Sequence, residues 1–350
     1  MIHLLSGLLG LFILAVLLVD LLWTTFLEGA GPITKYICGW IGRIMLTAQC
    51  KLCPNRRIIT KSGLLTVTCS TMAWTILLWL GWTFIFNASP NSIAATYEGA
   101  GTPTFWTRMY FAGCEITTIG SSDYRPSAGI WEFATVIAGG TGYLLLGIAV
   151  AYIVPVVSAV TQKRQLALTI WSLGKDPADI ISRAWNGADT SALGPHLVSL
   201  CSMLTLLGES HLTYPVLHYF HSTKRSSAIA PSVAALDEAL TILECGLQRG
   251  CSLDIPALGA ARESITEFLA TLQPALIETT QADPPEPSLA SLREIGVAAV
   301  DDELFKDALK PLAARRRLLL TLVLNEGWTW DNVWPKPVQP IAPPREGVSR

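Results

Sequence analysis

At 350 residues, the chain is 51% hydrophobic and 15% charged, with a formal net charge of −2. That balance suits several bilayer spans rather than a soluble enzyme of this size, and it gives no global argument for nucleic acid as a partner. The eight cysteines are scattered and make no disulfide framework, so free thiols are expected.

The first apolar run, from about Leu4 to Leu27, is long enough to span a bilayer and carries Asp20 as its only charge. It lacks a basic leading region and a small-x-small cleavage site, so residues 1–28 read as a retained span rather than a signal peptide. Asp20 is a functional candidate as an intramembrane carboxylate, or it simply reaches the interface. Residues 29–62 form a basic connector, with Lys35, Arg43, Lys51, Arg56, Arg57 and Lys61 and no acid between Gly31 and Ser62. Within it, Cys50 and Cys53 make a C-x-x-C pair, which needs ligands from elsewhere to hold zinc; inert thiols are expected. A second span runs from about Leu64 to Phe86, and a third from near Ile130 to about Val160, closed by Lys163-Arg164. The basic flanks place the connector and the end of the third span in the cytoplasm, and the N-terminus and Asn87–Gly129 outside. Trp23, Trp40, Trp82 and Trp131 lie near span ends, where interfacial anchors are expected.

The outer loop begins turn-rich, with Glu98 as its one charge before Thr104. The stretch TFWTRMYFAGCEITT then has helical spacing with Thr104 as N-cap. At about 15 residues it is too short to cross a bilayer. A short helix followed by polar backbone between two spans is a re-entrant arrangement, which must be buried in protein or face water. The helix C-terminus carries partial negative charge and favours a cation beyond it. Glu115 inside this helix needs Arg108, another donor, or a proton. The third span contains Gly139, Gly140, Gly142 and Gly147, and Pro155 removes the hydrogen bond to the carbonyl of Ala151. Such glycines also serve close helix packing.

Span, short helix, TTIGSSDYRP and glycine-bearing span together resemble the pore module of the potassium-channel superfamily, over roughly residues 64–160. The family's T-V-G-Y-G-D pattern aligns without gaps on Thr118-Ile119-Gly120-Ser121-Ser122-Asp123, followed by Pro126. The resemblance implies an all-α membrane protein with three transmembrane helices, a re-entrant pore helix and a filter loop in the pore domain, residues 63–160. It implies a passive cation channel, potassium first among monovalent ions, with no cofactor and no enzymatic activity. The Thr118 hydroxyl and the carbonyls of Thr118, Ile119, Gly120 and Ser121 would be ion ligands, with Ser122 completing the filter. Thr117 and Tyr110 would support it. Asp123 would be a strut at the outer mouth that Tyr110 can reach, or else a solvated turn residue neutralised by Arg108 and Arg125. Gly139, Gly140, Gly142 or Pro155 would be the gating hinge. With one such motif per chain, four copies are needed, hence a homotetramer. Ser121 and Ser122 replace the family's aromatic residue and second glycine, so the match supports a pore more strongly than potassium selectivity. A second function class is a non-conducting receptor that uses the pore fold to present its cytoplasmic helices. The whole arrangement also resembles bacterial ion-channel family proteins, which implies a bacterial cell membrane.

From Thr161 the chain changes to a helical cytoplasmic domain, residues 161–333. Asp176 is the expected N-cap with Pro177 at the first helical position. PHLVSLCSMLTLLGES, SVAALDEALTILECGLQRG and ALGAARESITEFLATLQPAL read as amphipathic helices, with Gly250 as a stop. ADPPEPS is a linker. DDELFKDALKPLAARRRLLLTLVL reads as a helix acidic at its start and basic later. Residues 334–350 read as a disordered tail. His218 and His221 share a face if YPVLHYFH is helical, and with His211 and Glu209 nearby they are candidates for metal binding or proton sensing. Packing of an aromatic face is the alternative.

Overall fold

The computed structural model describes the chain except residues 1, 28, 52–59, 98–101, 122, 249–253, 274–275, 277–279 and 336–350. Cys53, Glu98, Ser122, Gly250, the tail beyond residue 335 and the side chain of Cys50 lie outside the described residues. The chain divides into two units: 1–163 with 205–223 and 267–275, and 164–204 with 224–266 and 276–350. The first unit therefore takes in two segments that the sequence assigns to the cytoplasmic domain.

In the first unit, α1 (Ile2–Phe26) lies antiparallel to α3 (Ser62–Phe86). Ser6 Oγ donates to the Phe84 carbonyl at 3.0 Å, and the His3 ring hydrogen-bonds the Asn87 carbonyl at 2.9 Å. Their contact face includes glycines that let the backbones approach closely. A Cβ on Gly10 would stand 2.7 Å from the Gly81 carbonyl, and one on Gly81 would stand 2.5 Å from Leu14. Close backbone approach is how helices gain dispersion energy where lipid removes the hydrophobic drive. Leu5, Leu8 and Phe12 remain on the outer face. Between the two helices, the basic connector contains a helix of its own, α2 (Pro32–Lys51).

After α3 come β1 (Ile93–Ala95), the short helix α4 (Phe105–Ile116) and β2 (Tyr124–Pro126). The strands pair antiparallel, with Ala94 opposite Arg125. This small ladder is not foreseen by the sequence, since three-residue strands are too short to show alternation. The helix that carries the third span is longer than its apolar run. Helix α5 (Ile130–Leu173) runs 44 residues without a break, on the order of 66 Å at 1.5 Å per residue. Val160 is thus no helix end, and Lys163-Arg164 lie inside the helix.

A fourth segment, Ser191–Thr213, is also long and apolar enough to cross a membrane. Its helix α7 (Gly194–Thr213) buries Leu197, Leu200, Leu204 and Leu207 in one stripe. The outward side mixes His196, Ser199, Ser202 and Glu209 with the exposed Val198 and Leu206.

The second unit is helical. In α6 (Pro177–Ala184), Asp176 caps as expected, its carboxylate accepting from Asp179 N at 2.9 Å with Pro177 in the first turn. Helix α8 (Ile229–Cys245) is not amphipathic: every residue from Ile229 to Leu243 is buried. Its two acids are paired inside. Asp237 takes Arg262 at 2.7 Å and Arg315 at 2.6 Å, and Glu238 takes Arg316 at 2.7 Å. Burial pushes the Glu238 carboxyl up, against the pull of Arg316. Helix α9 spans Ile255–Leu272, and α10 (Ala290–Glu294) follows the linker. The expected final helix is two, α11 (Asp302–Leu309) and α12 (Ala313–Asn325), joined by a tight turn at Lys310–Leu312. Pro311 causes the division, because its ring and missing N–H cannot continue an α-helix. Arg225 donates to the Asn332 carbonyl and lies over the Trp171 ring at 5.1 Å; burial brings its guanidinium down to about 10.

Candidate functional site

Helix α4 starts with the expected Thr104 cap, reinforced by Thr107 in a reciprocal box. It ends where the polar string begins. Thr118 takes φ +60°, the one positive value outside glycine among the described residues, and Gly120 takes +74°. A β-branched residue in that region is a true outlier. Its hydrogen bonds explain how it is held. Thr118 N donates to the Glu115 carbonyl at 3.0 Å, and Ile119 N to the Cys114 carbonyl at 3.0 Å. That pair of bonds is the Schellman helix stop, in a position usually given to glycine. Gly120 N adds a second bond to Cys114 O at 3.1 Å, and Thr117 Oγ1 donates to Gly113 O at 2.7 Å.

The N–H groups of Thr117 to Gly120 are therefore all turned back onto the helix end. Their carbonyls accept no hydrogen bond among the described residues, and all four residues are exposed, Ile119 to 78%. Exposed acceptors of this kind are open to water or to an ion. Four consecutive open carbonyls beside a helix C-terminus form an electronegative strip. Ser121 Oγ accepts from Tyr124 N at 3.3 Å and braces the strip from its own chain.

Three tryptophans of α3 hold this assembly. Trp79 Nε1 donates to the Met109 carbonyl at 2.7 Å, which needs Gly113: a Cβ there would stand 3.0 Å from that nitrogen. Trp82 Nε1 donates to Thr141 Oγ1 of α5 at 2.9 Å. Trp82 is buried, which corrects its assignment as an interfacial anchor; Trp23 and Trp40 are the exposed ones. Trp74 Nε1 reaches Asp20 at 2.8 Å. Asp20 is fully buried, and its carboxylate also accepts from Ile33 N, Thr34 N and Thr34 Oγ1. It caps the start of α2 across a chain turn.

Arg108 neutralises neither Asp123 nor Glu115 in the structure. It is buried and donates to Ser92 Oγ, Asn87 Oδ1 and the Pro90 carbonyl, the last at 2.8 Å. It so fastens the pore helix to the segment before β1. Tyr110 lies near Cys114, with Asp123 near enough to act through its charge. The Asp123 carbonyl accepts from Thr96 N at 3.0 Å, and Ser92 O from Ser127 N at 3.1 Å, extending the strand ladder at the mouth.

Among the hinge candidates, Gly142 has a packing role. A Cβ there would stand 1.9 Å from the Ile116 carbonyl oxygen, while Gly140 and Gly147 face open space and Gly139 meets only Glu115 O at 3.5 Å. Pro155 lies within the continuous α5.

The histidines do not form the expected helical face. Pro215–Tyr219 is a 3-10 turn that ends before His221. His211 is buried with its ring 4.9 Å from that of His218, and no cluster of three ligating side chains suited to a metal occurs among the described residues. The segment is instead a clamp. Lys163 Nζ of α5 donates to the carbonyls of Phe220 at 3.0 Å and Leu217 at 3.4 Å. Ser62 Oγ of α3 donates to Tyr219 O at 2.6 Å, and Gly63 leaves room for the Phe220 ring. Lys163→Met is expected to lower the unfolding free energy by about 1.5–3 kcal/mol, the range for hydrogen bonds to a charged group. Denaturant titration of the purified protein reads this; an unchanged midpoint would remove the clamp.

A short helix, a loop of open carbonyls and two flanking membrane-length helices are the parts of a pore-loop membrane protein. Residues 72–159 match a family described as ion channel. The chain is also 34% identical over 326 residues to the uncharacterized membrane protein YdjJ of Bacillus subtilis (strain 168), covering 92% of this chain and 94% of that protein. The chain belongs to the same family of membrane proteins as YdjJ, and its residues 72–159 form an ion-channel module. No solved structure matches it.

Proposed function

We propose that four copies assemble around Thr117–Ser121 to form a cation-selective pore, with potassium the preferred ion and passive permeation. The observation that carries this reading is the run of four open carbonyls from Thr117 to Gly120 at the end of α4. Rings of such oxygens replace the water around a dehydrated cation. Thr118 adds its hydroxyl, Ser121 and Ser122 form the outer end, and Asp123 raises the cation concentration at the mouth. The basic connector and Lys163-Arg164 support a cell-membrane orientation with the N-terminus outside. Gly139, Gly140 and Pro155 are the gating positions in this reading.

The test is ion flux from liposomes under potassium and sodium gradients. The wild type is expected to set a reversal potential near that of potassium. In Gly120→Ala no neighbour is within 4 Å of the new methyl, so the cost is the left-handed backbone alone, about 1–2 kcal/mol. That variant is expected to lose about tenfold in potassium over sodium preference, a change of 1.4 kcal/mol. Equal permeation of both ions by the wild type overturns selectivity. Absence of flux from a purified tetramer, with a soluble partner recovered, favours the receptor function.

A further inference from the structure

Helix α2 carries its residues in the reverse order of a helix from a soluble protein. Toward the rest of its unit it presents small residues four apart, Thr34, Cys38 and Gly42, all buried. Away from it stand Tyr36, Trp40 and Ile44, also four apart and 73%, 67% and 55% exposed. A helix in water turns its large apolar groups inward. Rings facing outward suit the boundary between headgroups and hydrocarbon, where Trp and Tyr concentrate. Lys35 and Arg43 are exposed on the same helix, and no acid occurs between Gly31 and Ser62.

The location of α2 is constrained as well. It joins two membrane-length helices, and Asp20 ties its first turn to α1 and, through Trp74, to α3. It cannot leave the membrane boundary without breaking those bonds. We propose that α2 lies in the interface and binds anionic phospholipid, with Tyr36, Trp40 and Ile44 among the upper acyl segments and Lys35 and Arg43 on the headgroup phosphates. Charge selects this occupant. Basic residues at a membrane surface are drawn to anionic lipid, whereas a second α2 packed on the stripe by two-fold symmetry would oppose like charges. This inference goes beyond the pore reading and does not require conduction.

The full chain is reconstituted in phosphatidylcholine vesicles carrying either brominated phosphatidylglycerol or brominated phosphatidylcholine. Subtracting the emission of Trp40→Phe from that of the wild type isolates Trp40. Stronger quenching by brominated phosphatidylglycerol is expected, falling to parity in the Lys35→Gln/Arg43→Gln variant. Three results overturn the proposal: no quenching of Trp40 by either lipid, which places protein or a second copy over the stripe; equal quenching by both in the wild type; or a preference that survives the double variant. The assay reads no ion flux, so its failure leaves the pore reading standing, and failure of the pore leaves this assay intact.

Discussion

Gly142→Ala is expected to unseat the pore helix from α5 and abolish cation flux. The added methyl would lie 1.9 Å from the Ile116 carbonyl oxygen and 2.7 Å from its carbon. Both partners are helix backbone, so neither can yield as a flexible side chain would. Overpacking in a tight interface costs about 1–3 kcal/mol, and a clash between two main chains belongs at the upper end. Thr117 follows Ile116 directly, so any displacement of α4 moves the carbonyl strip with it. Gly147→Ala is the control. It meets nothing within 4 Å in its own chain, and replacing glycine in a helix gains up to about 1 kcal/mol. Thermal unfolding in detergent and liposome flux, measured on both variants, separate packing from hinging. A Gly142→Ala protein with unchanged melting and flux would sink the packing argument. Reduced open probability at unchanged stability is the mark of a hinge, and belongs to Gly139, Gly140 or Pro155.

Asp20→Ala is expected to cost about 3–5 kcal/mol, because several buried donors lose their one acceptor. Four donors converge on its two oxygens: Ile33 N at 2.7 Å, Thr34 N at 3.2 Å, and Thr34 Oγ1 and Trp74 Nε1 each at 2.8 Å. Without the carboxylate, the first turn of α2 and the indole of α3 are left as buried donors, each costing about 1–3 kcal/mol. Asp20→Asn keeps one acceptor oxygen but turns an amide toward Trp74 or Thr34, so an intermediate loss is expected. Denaturant midpoints give the order wild type, Asn, Ala. Faster proteolysis in the connector should accompany the loss, because α2 is held at its start by this residue. An Asp20→Ala protein as stable as wild type would show that α2 needs no tether.

The contrast between these two residues indicates what was legible. Asp20 stands out in the sequence because a lone carboxylate in an apolar run is costly, yet its four partners lie 13 to 54 positions away. Gly142 is one of several glycines in the same span and has no mark to distinguish it. Gly113 carries a faint signal, since glycine inside a short helix weakens it and asks for a reason. The reason, Trp79, is a contact across the fold. Arg108 shows the opposite error: a nearby acid in sequence suggested an ion pair, while the folded chain offered it a carbonyl, an amide and a hydroxyl.

By itself the sequence determined the apolar runs, the short helix with its Thr104 cap, the polar string that follows, and the Asp176 cap. These depend on hydropathy, length and local hydrogen bonding, all of which act between near neighbours. Only the tertiary structure decided that Thr118 holds a left-handed stop, that the N–H groups of the string turn back on α4 while its carbonyls are left open, and that α5 continues past Val160. It alone turned the expected histidine face into a clamp on Lys163 and placed the large residues of α2 outward. Those outcomes depend on which helices approach closely enough to need a glycine or satisfy a buried donor, and distant contacts of that kind leave no local pattern in the chain.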